Sequence, residues 1–333
     1  MTSGGDFQKA IDLINNAEHI LITTHIKPDG DACGCVAAMA DVLTGLGKEV
    51  KLIFLSPPPQ WYEFLFAGKV PVLGQHVSLQ QLQQGQFAQP DLIMIIDTNC
   101  RSQLPEFDQY LKQTDKPVLV IDHHNTSDAL GAVEIIDPTA AATSLLVCDL
   151  LRRAHWPITE TIAHALFVAL ATDTGWFQFS NTDSRSFRCC ADLIDAGANP
   201  TQLHHDLYQS FSPQRFNLMA AMLSTLELHF DGRFATQYIR QSDFEQTGAA
   251  YSDTENLIDE CRRISTVEAA ALFVELKDGK IKCSLRSTGA IDVCEIAQKF
   301  GGGGHTTAAG VHLDGPLEKA RNQIYDEIEK HLR

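Results

Sequence analysis

The chain has 333 residues, 44% of them hydrophobic, and a formal net charge of −16. That length and composition predict a globular protein of about two domains, and the charge excludes the broad basic surface that long duplex nucleic acid requires. The deficit is uneven: residues 267–333 carry a net −1 and the first 266 a net −15, so side chains that hold a phosphate are expected near the C-terminus. Nine cysteines without a paired C-x-x-C spacing indicate reduced, buried thiols rather than a disulfide framework. No apolar run is long enough to cross a bilayer, and no basic stretch followed by an apolar core opens the sequence. The expected location is cytoplasmic, with no membrane partner.

Taken in order, residues 6–17 read as a short amphipathic helix. Residues 20–24 read as a first strand ending at His25, followed by a turn over 27–31 with Pro and Gly punctuation. Residues 32–46 suit a closely packed helix, with Gly47 as its cap. A second strand is predicted over 50–55, closed by Pro57-Pro58-Pro59, and the glutamines of 80–89 read as a surface loop or helix. Strands follow at 92–96, ending at Asp97, at 118–121, ending at Asp122-His123-His124, and at 133–136, stopped by Asp137-Pro138. Strands alternating with helical patterns predict an α/β fold with a mainly parallel sheet flanked by helices on both faces. Helices are expected over 141–154, 158–172 and 184–196, with shorter ones at 202–209 and 213–226. The β pattern then returns, with Asp231-Gly232 and Asp278-Gly279 as hairpin dipeptides and 272–276 and 281–285 as a strand pair. A helix over 292–299 precedes Gly301-Gly302-Gly303-Gly304-His305, and a last helix covers 317–332. The expected division is a catalytic domain at 1–209, a helical linker or hinge at 210–226 and a smaller α/β domain at 227–333.

Four segments put acidic or imidazole groups directly after an apolar run: His25/Asp29/Asp31, Asp97, Asp122/His123/His124 and Asp173. In open α/β sheets, ligands bind just outside the carboxyl ends of the strands. Two neighbouring histidines on an extended strand face opposite ways, so one is expected to ligate a metal while the other points at a substrate. Buried carboxylates that converge on one crevice repel each other and are forced to protonate. Two divalent cations remove that penalty. The mixed donor set suits Mn2+, with Zn2+, Co2+, Fe2+ or Mg2+ as alternatives. Two cations bridged by one carboxylate activate water and hold both oxygens of an in-line displacement at phosphorus.

The set His25-Ile26-Lys27-Pro28-Asp29-Gly30-Asp31, Ile96-Asp97-Thr98, Asp122-His123-His124 and Ala171-Thr172-Asp173-Thr174-Gly175 resembles the four motifs of the DHH phosphoesterases. Ser284-Leu285-Arg286-Ser287, the glycines before His305 and Ala308-Ala309-Gly310 resemble the DHHA1 substrate domain. The resemblance covers nearly the whole chain, and its size and spacing are most similar to the nano-RNase/pAp phosphatase branch. It implies a two-metal hydrolase that degrades very short RNA oligomers and removes the 3′-phosphate of 3′-phosphoadenosine 5′-phosphate. The partners implied are short oligoribonucleotides and nucleoside bisphosphates, with a homodimer left open. His25 and Asp29 would hold one metal, Asp31, His123 and Asp173 the other, and Asp97 would bridge them. Asp122 would orient the site, and His124 would face the scissile phosphate. Arg286, Gly302, Gly303, Gly304 and His305 would grip the far end of the substrate, the glycines through exposed amides and Arg286 through its planar fork. Arg101 reads equally as a phosphate contact and as a solvated loop residue. The second domain would close on one end of a short substrate, with 209–213 as the hinge.

Other readings stay open at this point. A cyclic or linear dinucleotide phosphodiesterase would share the same core. A RecJ-like single-strand exonuclease is disfavoured by the short chain and the lack of a basic groove. A non-catalytic nucleotide-binding module would be marked by loss of a metal ligand, and all six are present. Cys33 and Cys35 read as small packing residues under the site rather than thiolate ligands, and Cys100, Cys189 and Cys190 likewise. Trp176, Phe177 and Phe179 read as core rather than as a base-stacking platform, and His204 and His205 as surface or hinge residues.

Overall fold

A computed structural model describes residues 4–209 and 212–332. The chain divides into two units after Gln209. In chain order, the first contains α1 (Gly4–Asn16), β1 (His19–Thr24), α2 (Gly30–Gly45), β2 (Glu49–Leu52), α3 (Leu79–Gln83), β3 (Leu92–Ile96), α4 (Phe107–Leu111), β4 (Val118–Asp122), β5 (Val133–Ile136), α5 (Thr143–Ala154), α6 (Glu160–Asp173), α7 (Ser184–Asp195) and α8 (Pro200–Tyr208).

Its five strands pair in the order β2-β1-β3-β4-β5, every pair parallel. All residues of β3 and β4 are buried. Alternate side chains feed two cores. Ile20, Ile22, Met94, Ile96, Leu119 and Ile121 pack in the core that includes residues of α2, α5 and α6. Leu21, Ile93, Ile95, Val118 and Val120 pack with Leu82, Phe107 and Tyr110 of the short helices α3 and α4. Burial on both faces is why these strands read as unbroken apolar runs.

Several boundaries differ from the sequence reading, and the start of α2 matters for the site. The helix expected from Ala32 begins at Gly30, because the Asp29 side chain accepts from the amides of Asp31 and Ala32 and caps it. Gly30 and Gly34 have no room for a Cβ, which would collide with Thr172 and with the Ala165 carbonyl. Here α2 and α6 touch backbone to backbone. The second strand stops at Leu52, beyond which Phe54 makes only an isolated bridge to Val72.

The second unit contains α9 (Pro213–Ser224), β6 (Glu227–His229), β7 (Phe234–Ile239), α10 (Gln241–Thr247), β8 (Ala269–Glu275), β9 (Lys280–Ser287), α11 (Val293–Gln298), β10 (Gly303–His305), β11 (Ala308–Asp314) and α12 (Leu317–Leu332). Its six strands pair in the order β10-β11-β9-β8-β7-β6. Only β7 and β8 run parallel, and both expected hairpin dipeptides join antiparallel strands. Residues 210 and 211 of the expected hinge lie outside the described residues. Leu218 and Met222 of α9 are fully buried against Ala235 and Ile239 of β7, so this helix is a packed layer of the second unit rather than a free linker. No helix among the described residues is long and apolar enough to cross a membrane.

Candidate metal centre

Asp97 follows β3 directly and takes φ +66°, a left-handed conformation that aspartate tolerates better than most residues. Its amide donates to the Ile121 carbonyl at 2.8 Å, so the turn is tied to the end of β4. The carboxylate is 1% exposed, and its two oxygens face different partners. Oδ2 lies 3.5 Å from His25 Nε2. Oδ1 lies 3.7 Å from His123 Nε2 and accepts from the Thr143 hydroxyl at 2.7 Å.

Both histidines are oriented from behind. His25 Nδ1 donates to the Ile26 carbonyl at 2.9 Å, and His123 Nδ1 to the Ala140 carbonyl at 3.1 Å. A carbonyl only accepts, so each ring carries its proton on Nδ1 and presents the Nε2 lone pair to the carboxylates, the usual arrangement behind a metal-ligating histidine. His123 Nε2 is also 3.4 Å from Asp173 Oδ2, and His25 Nε2 is 3.9 Å from Asp29 Oδ1. Asp31, 1% exposed, accepts from the Thr143 amide at 2.5 Å, the Ser144 amide at 3.1 Å and the Cys35 thiol at 3.3 Å. The amino end of α5 thus neutralises part of its charge.

Two donor groups result, His25/Asp29/Asp97 and Asp31/His123/Asp173, each with ligand atoms within 4.8 Å of one another. Ligands of one cation, at about 2.1 Å each, sit roughly 3–3.5 Å apart, so both groups fit a divalent ion after small adjustment. Their acid–base chemistry agrees. Burial, then repulsion from Asp97, Asp173 and Asp29, holds Asp31 well above the ordinary carboxylate range. Burial and the Asp29 charge do the same to Asp97 and push Asp173 up to about 7. Burial lowers His123. Such a cluster binds protons in the absence of a cation and releases them to one.

Asp122 is fully buried. Its Oδ1 accepts from the His124 amide at 3.1 Å and from His124 Nδ1 at 2.7 Å. That hydrogen bond pushes His124 up to about 9 in the metal-free cluster, which favours the imidazolium form there. A third overlapping group, Asp97/His123/His124, would need His124 Nδ1, which Asp122 already holds. The two histidine rings do not face opposite ways as the strand rule predicted. Their centroids are 4.5 Å apart, because β4 ends at Asp122 and the alternation ends with it.

The remaining predicted residues are placed less directly. Arg101 is not brought together with the ligand groups: its guanidinium pairs with Asp108 at 2.5 Å. Arg286, on β9, lies 3.4 Å from Asp259. A Cβ on Gly302 would meet the Gly310 carbonyl, and one on Gly304 (φ +149°) the Ala308 carbonyl, while Gly303 faces open space. Close pairing of β10 with β11 therefore accounts for two of the three glycines. His305 ends β10, and its side chain lies outside what the structure describes.

Cys33 and Cys35 are fully buried, and burial pushes both thiols up, against thiolate ligation. Phe179 is not core: it is 59% exposed. Gly175, Trp176 and Phe177 all take positive φ, directly after the Asp173 turn. His204 rests against the Trp176 and Tyr208 rings. The sequence reading missed Thr143, Ser144, the Ala140 carbonyl and Asn181, whose amide donates to the carbonyls of Ala141 and Asp173 at 3.1 Å each. No local signal marks Thr143 or Ser144: Ala142 occupies the cap position of α5, and both residues fall inside its first turn.

Residues 19–171 match the model of the DHH family, N-terminal domain, and residues 231–333 that of the DHHA1 domain. The bifunctional oligoribonuclease and PAP phosphatase NrnA of Thermus thermophilus is 30% identical over 319 residues, covering 94% of this chain and 90% of that protein. Among solved structures, an exopolyphosphatase-related protein from Bacteroides fragilis superposes with a TM-score of 0.89 at 23% identity, over 100% of this chain and 98% of that one. The exonuclease RecJ bound to manganese shares the fold more loosely, with a TM-score of 0.55 at 16% identity, over 97% of this chain and 94% of that one. Motifs, fold and similarity over nearly the full length agree: the chain belongs to the DHH family, with a DHH N-terminal domain followed by a DHHA1 domain.

Proposed function

We propose that this protein is a two-metal phosphoesterase that hydrolyses short RNA oligonucleotides and removes the 3′-phosphate of 3′-phosphoadenosine 5′-phosphate in the cytoplasm. The observation that carries the reading is the division of the Asp97 carboxylate, one oxygen toward His25 and the other toward His123. On this reading His25, Asp29 and Asp97 hold one cation, and Asp31, Asp97, His123 and Asp173 hold the other, with Mn2+ as the ion the mixed donors suit. The substrates follow the printed name of the Thermus thermophilus relative. Divalent cations at these ligands would supply Lewis-acid stabilisation and an activated water.

The chain's own residues do the rest. Asp122 holds His124 Nδ1, so the imidazolium presents its Nε2 proton to a phosphate oxygen, where a preorganised donor stabilises developing charge. Asp29 and Asp31 are fixed by helix amides before any substrate arrives, which limits reorganisation. Arg286, Gly302, Gly303, Gly304 and His305 are assigned to a second anionic group of the substrate. Arg101 joins them only by leaving Asp108. A direct comparison tests the reading: with Mn2+ present, a dinucleotide, a ~20-mer and the bisphosphate nucleotide are offered side by side. Turnover of the dinucleotide and the bisphosphate, with little of the 20-mer, is the expected result. Preference for the 20-mer would refute the short-substrate assignment, and no turnover with metal bound would refute the enzyme.

A further inference from the structure

Thr143 hydrogen-bonds to one carboxylate of each donor group. Its hydroxyl donates to Asp97 Oδ1 at 2.7 Å, and its amide donates to Asp31 Oδ2 at 2.5 Å. The residue is fully buried, so no water replaces either bond. These partners sit at the end of β3 and in the first turn of α2, far from Thr143 in sequence.

The side-chain bond has a specific consequence. The terminal torsion of an aspartate is broad and roughly two-fold, so a carboxylate at a strand end turns easily about its last bond. Asp97 must not turn if one oxygen is to face His25 and the other His123. The Thr143 hydroxyl has a single proton, and it is spent on Oδ1, the oxygen on the His123 side. That bond sets the plane of the carboxylate and leaves Oδ2 to His25. The amides of Thr143 and Ser144 fix Asp31 from the same helix end. One rigid helix terminus thereby spaces a ligand of each donor group.

We infer that Thr143 is a positioning residue that locks Asp97 in its bridging orientation and so couples the two cation positions. The inference rests on the two-metal reading above and deepens it. Valine at this position keeps the shape and the backbone amide but removes the hydroxyl, and a buried acceptor that loses its donor is penalised. Serine keeps the hydroxyl and loses only a methyl group.

The test is calorimetric titration of Mn2+ into the full-length wild type, Thr143→Val and Thr143→Ser, with Mn2+ electron paramagnetic resonance on the same samples. The wild type is expected to bind two ions with the signature of a magnetically coupled pair. The valine variant should bind its second ion about 10- to 100-fold more weakly, as loss of a residue that orients a ligand does, and show signals of isolated Mn2+. The serine variant should resemble the wild type in both readouts. A valine variant with wild-type stoichiometry, affinity and coupling overturns the inference while leaving the two-metal reading intact. A serine variant as impaired as the valine one also overturns it, because the methyl contact would then be what matters. A wild type that binds no Mn2+ overturns the two-metal reading and this inference with it. If the valine variant does not fold by circular dichroism, Thr143→Ala takes its place against serine in the same comparison.

Discussion

The carboxyl end of the first unit's sheet and the β9–β11 face of the second unit handle charge in opposite ways. In the first, four acids and two histidines crowd together, three of the carboxylates are held above their ordinary range, and within each three-residue donor group the ligand atoms stand within 4.8 Å of one another. In the second, Arg286 faces Asp259 at 3.4 Å, and the glycine stretch exposes backbone. The first arrangement is unfavourable until cations enter, so its geometry must be imposed by capping amides, oriented rings and Thr143. The second is already neutralised, so on the proposed reading an incoming anion would have to displace an internal partner. Rigid, preorganised repulsion suits a metal centre; a weak, exchangeable ion pair suits recognition of a leaving product.

Variants at the two ends break this contrast to different degrees. The largest effect is expected from Asp97→Asn, which keeps the acceptor for Thr143 but removes the charge that both cations of the proposed centre would share. Turnover should fall by about 10³-fold or more, well beyond the 10- to 100-fold typical of losing an outer partner, while circular dichroism is unchanged. Residual activity within tenfold of wild type would count against the bridge. Arg286→Ala comes next. A hydrogen bond to a charged group contributes about 1.5–3 kcal/mol, so KM for the bisphosphate should rise about 10- to 100-fold with kcat nearly constant. An unchanged KM would remove Arg286 from recognition.

The pH response should also separate the two ends. Asp173, with an ordinary value of 3.8, is pushed up to about 7, so the native metal-free protein keeps a proton that the unfolded chain has lost. Its contribution to stability is present below about pH 4 and is lost as pH rises through about 7. Asp31 and Asp97 act in the same direction. The thermal midpoint of the metal-free protein should therefore fall between about pH 5 and pH 8, and the gain on adding Mn2+ should grow over that range. A gain independent of pH would contradict the proton-loaded cluster. The smallest effect belongs to Asp259→Asn. A partly exposed ion pair is worth about 0–1 kcal/mol, so freeing Arg286 should lower KM at most about five-fold. A higher KM would show that Asp259 supports Arg286 rather than competing with substrate.

What the sequence revealed, and what it hid, follow from the range of the interactions. The strands at 92–96 and 133–136 fall where their apolar runs predicted, because burial writes a local pattern. The six proposed ligands stood out because His25, Asp97 and His123 directly follow strands, Asp29 and Asp31 open α2, and Asp173 closes α6. Thr143 was not, since its partners are 46 and 112 residues away and nothing local marks it. The side-by-side rings of His123 and His124 were misjudged because β4 ends at Asp122, so neither histidine lies on the extended strand that the alternation rule requires. The helix α10 was missed because it has no buried residue and so no apolar period. Gly302 and Gly304 looked like a ligand nest in sequence, whereas close strand pairing already requires them.

The central claim is that Asp97 joins two cation positions. Anomalous diffraction at the manganese edge, from crystals grown with Mn2+, tests it most directly. Two peaks are expected, one contacted by His25, Asp29 and Asp97 and the other by Asp31, Asp97, His123 and Asp173. A single peak, or two peaks that do not share Asp97, would contradict it.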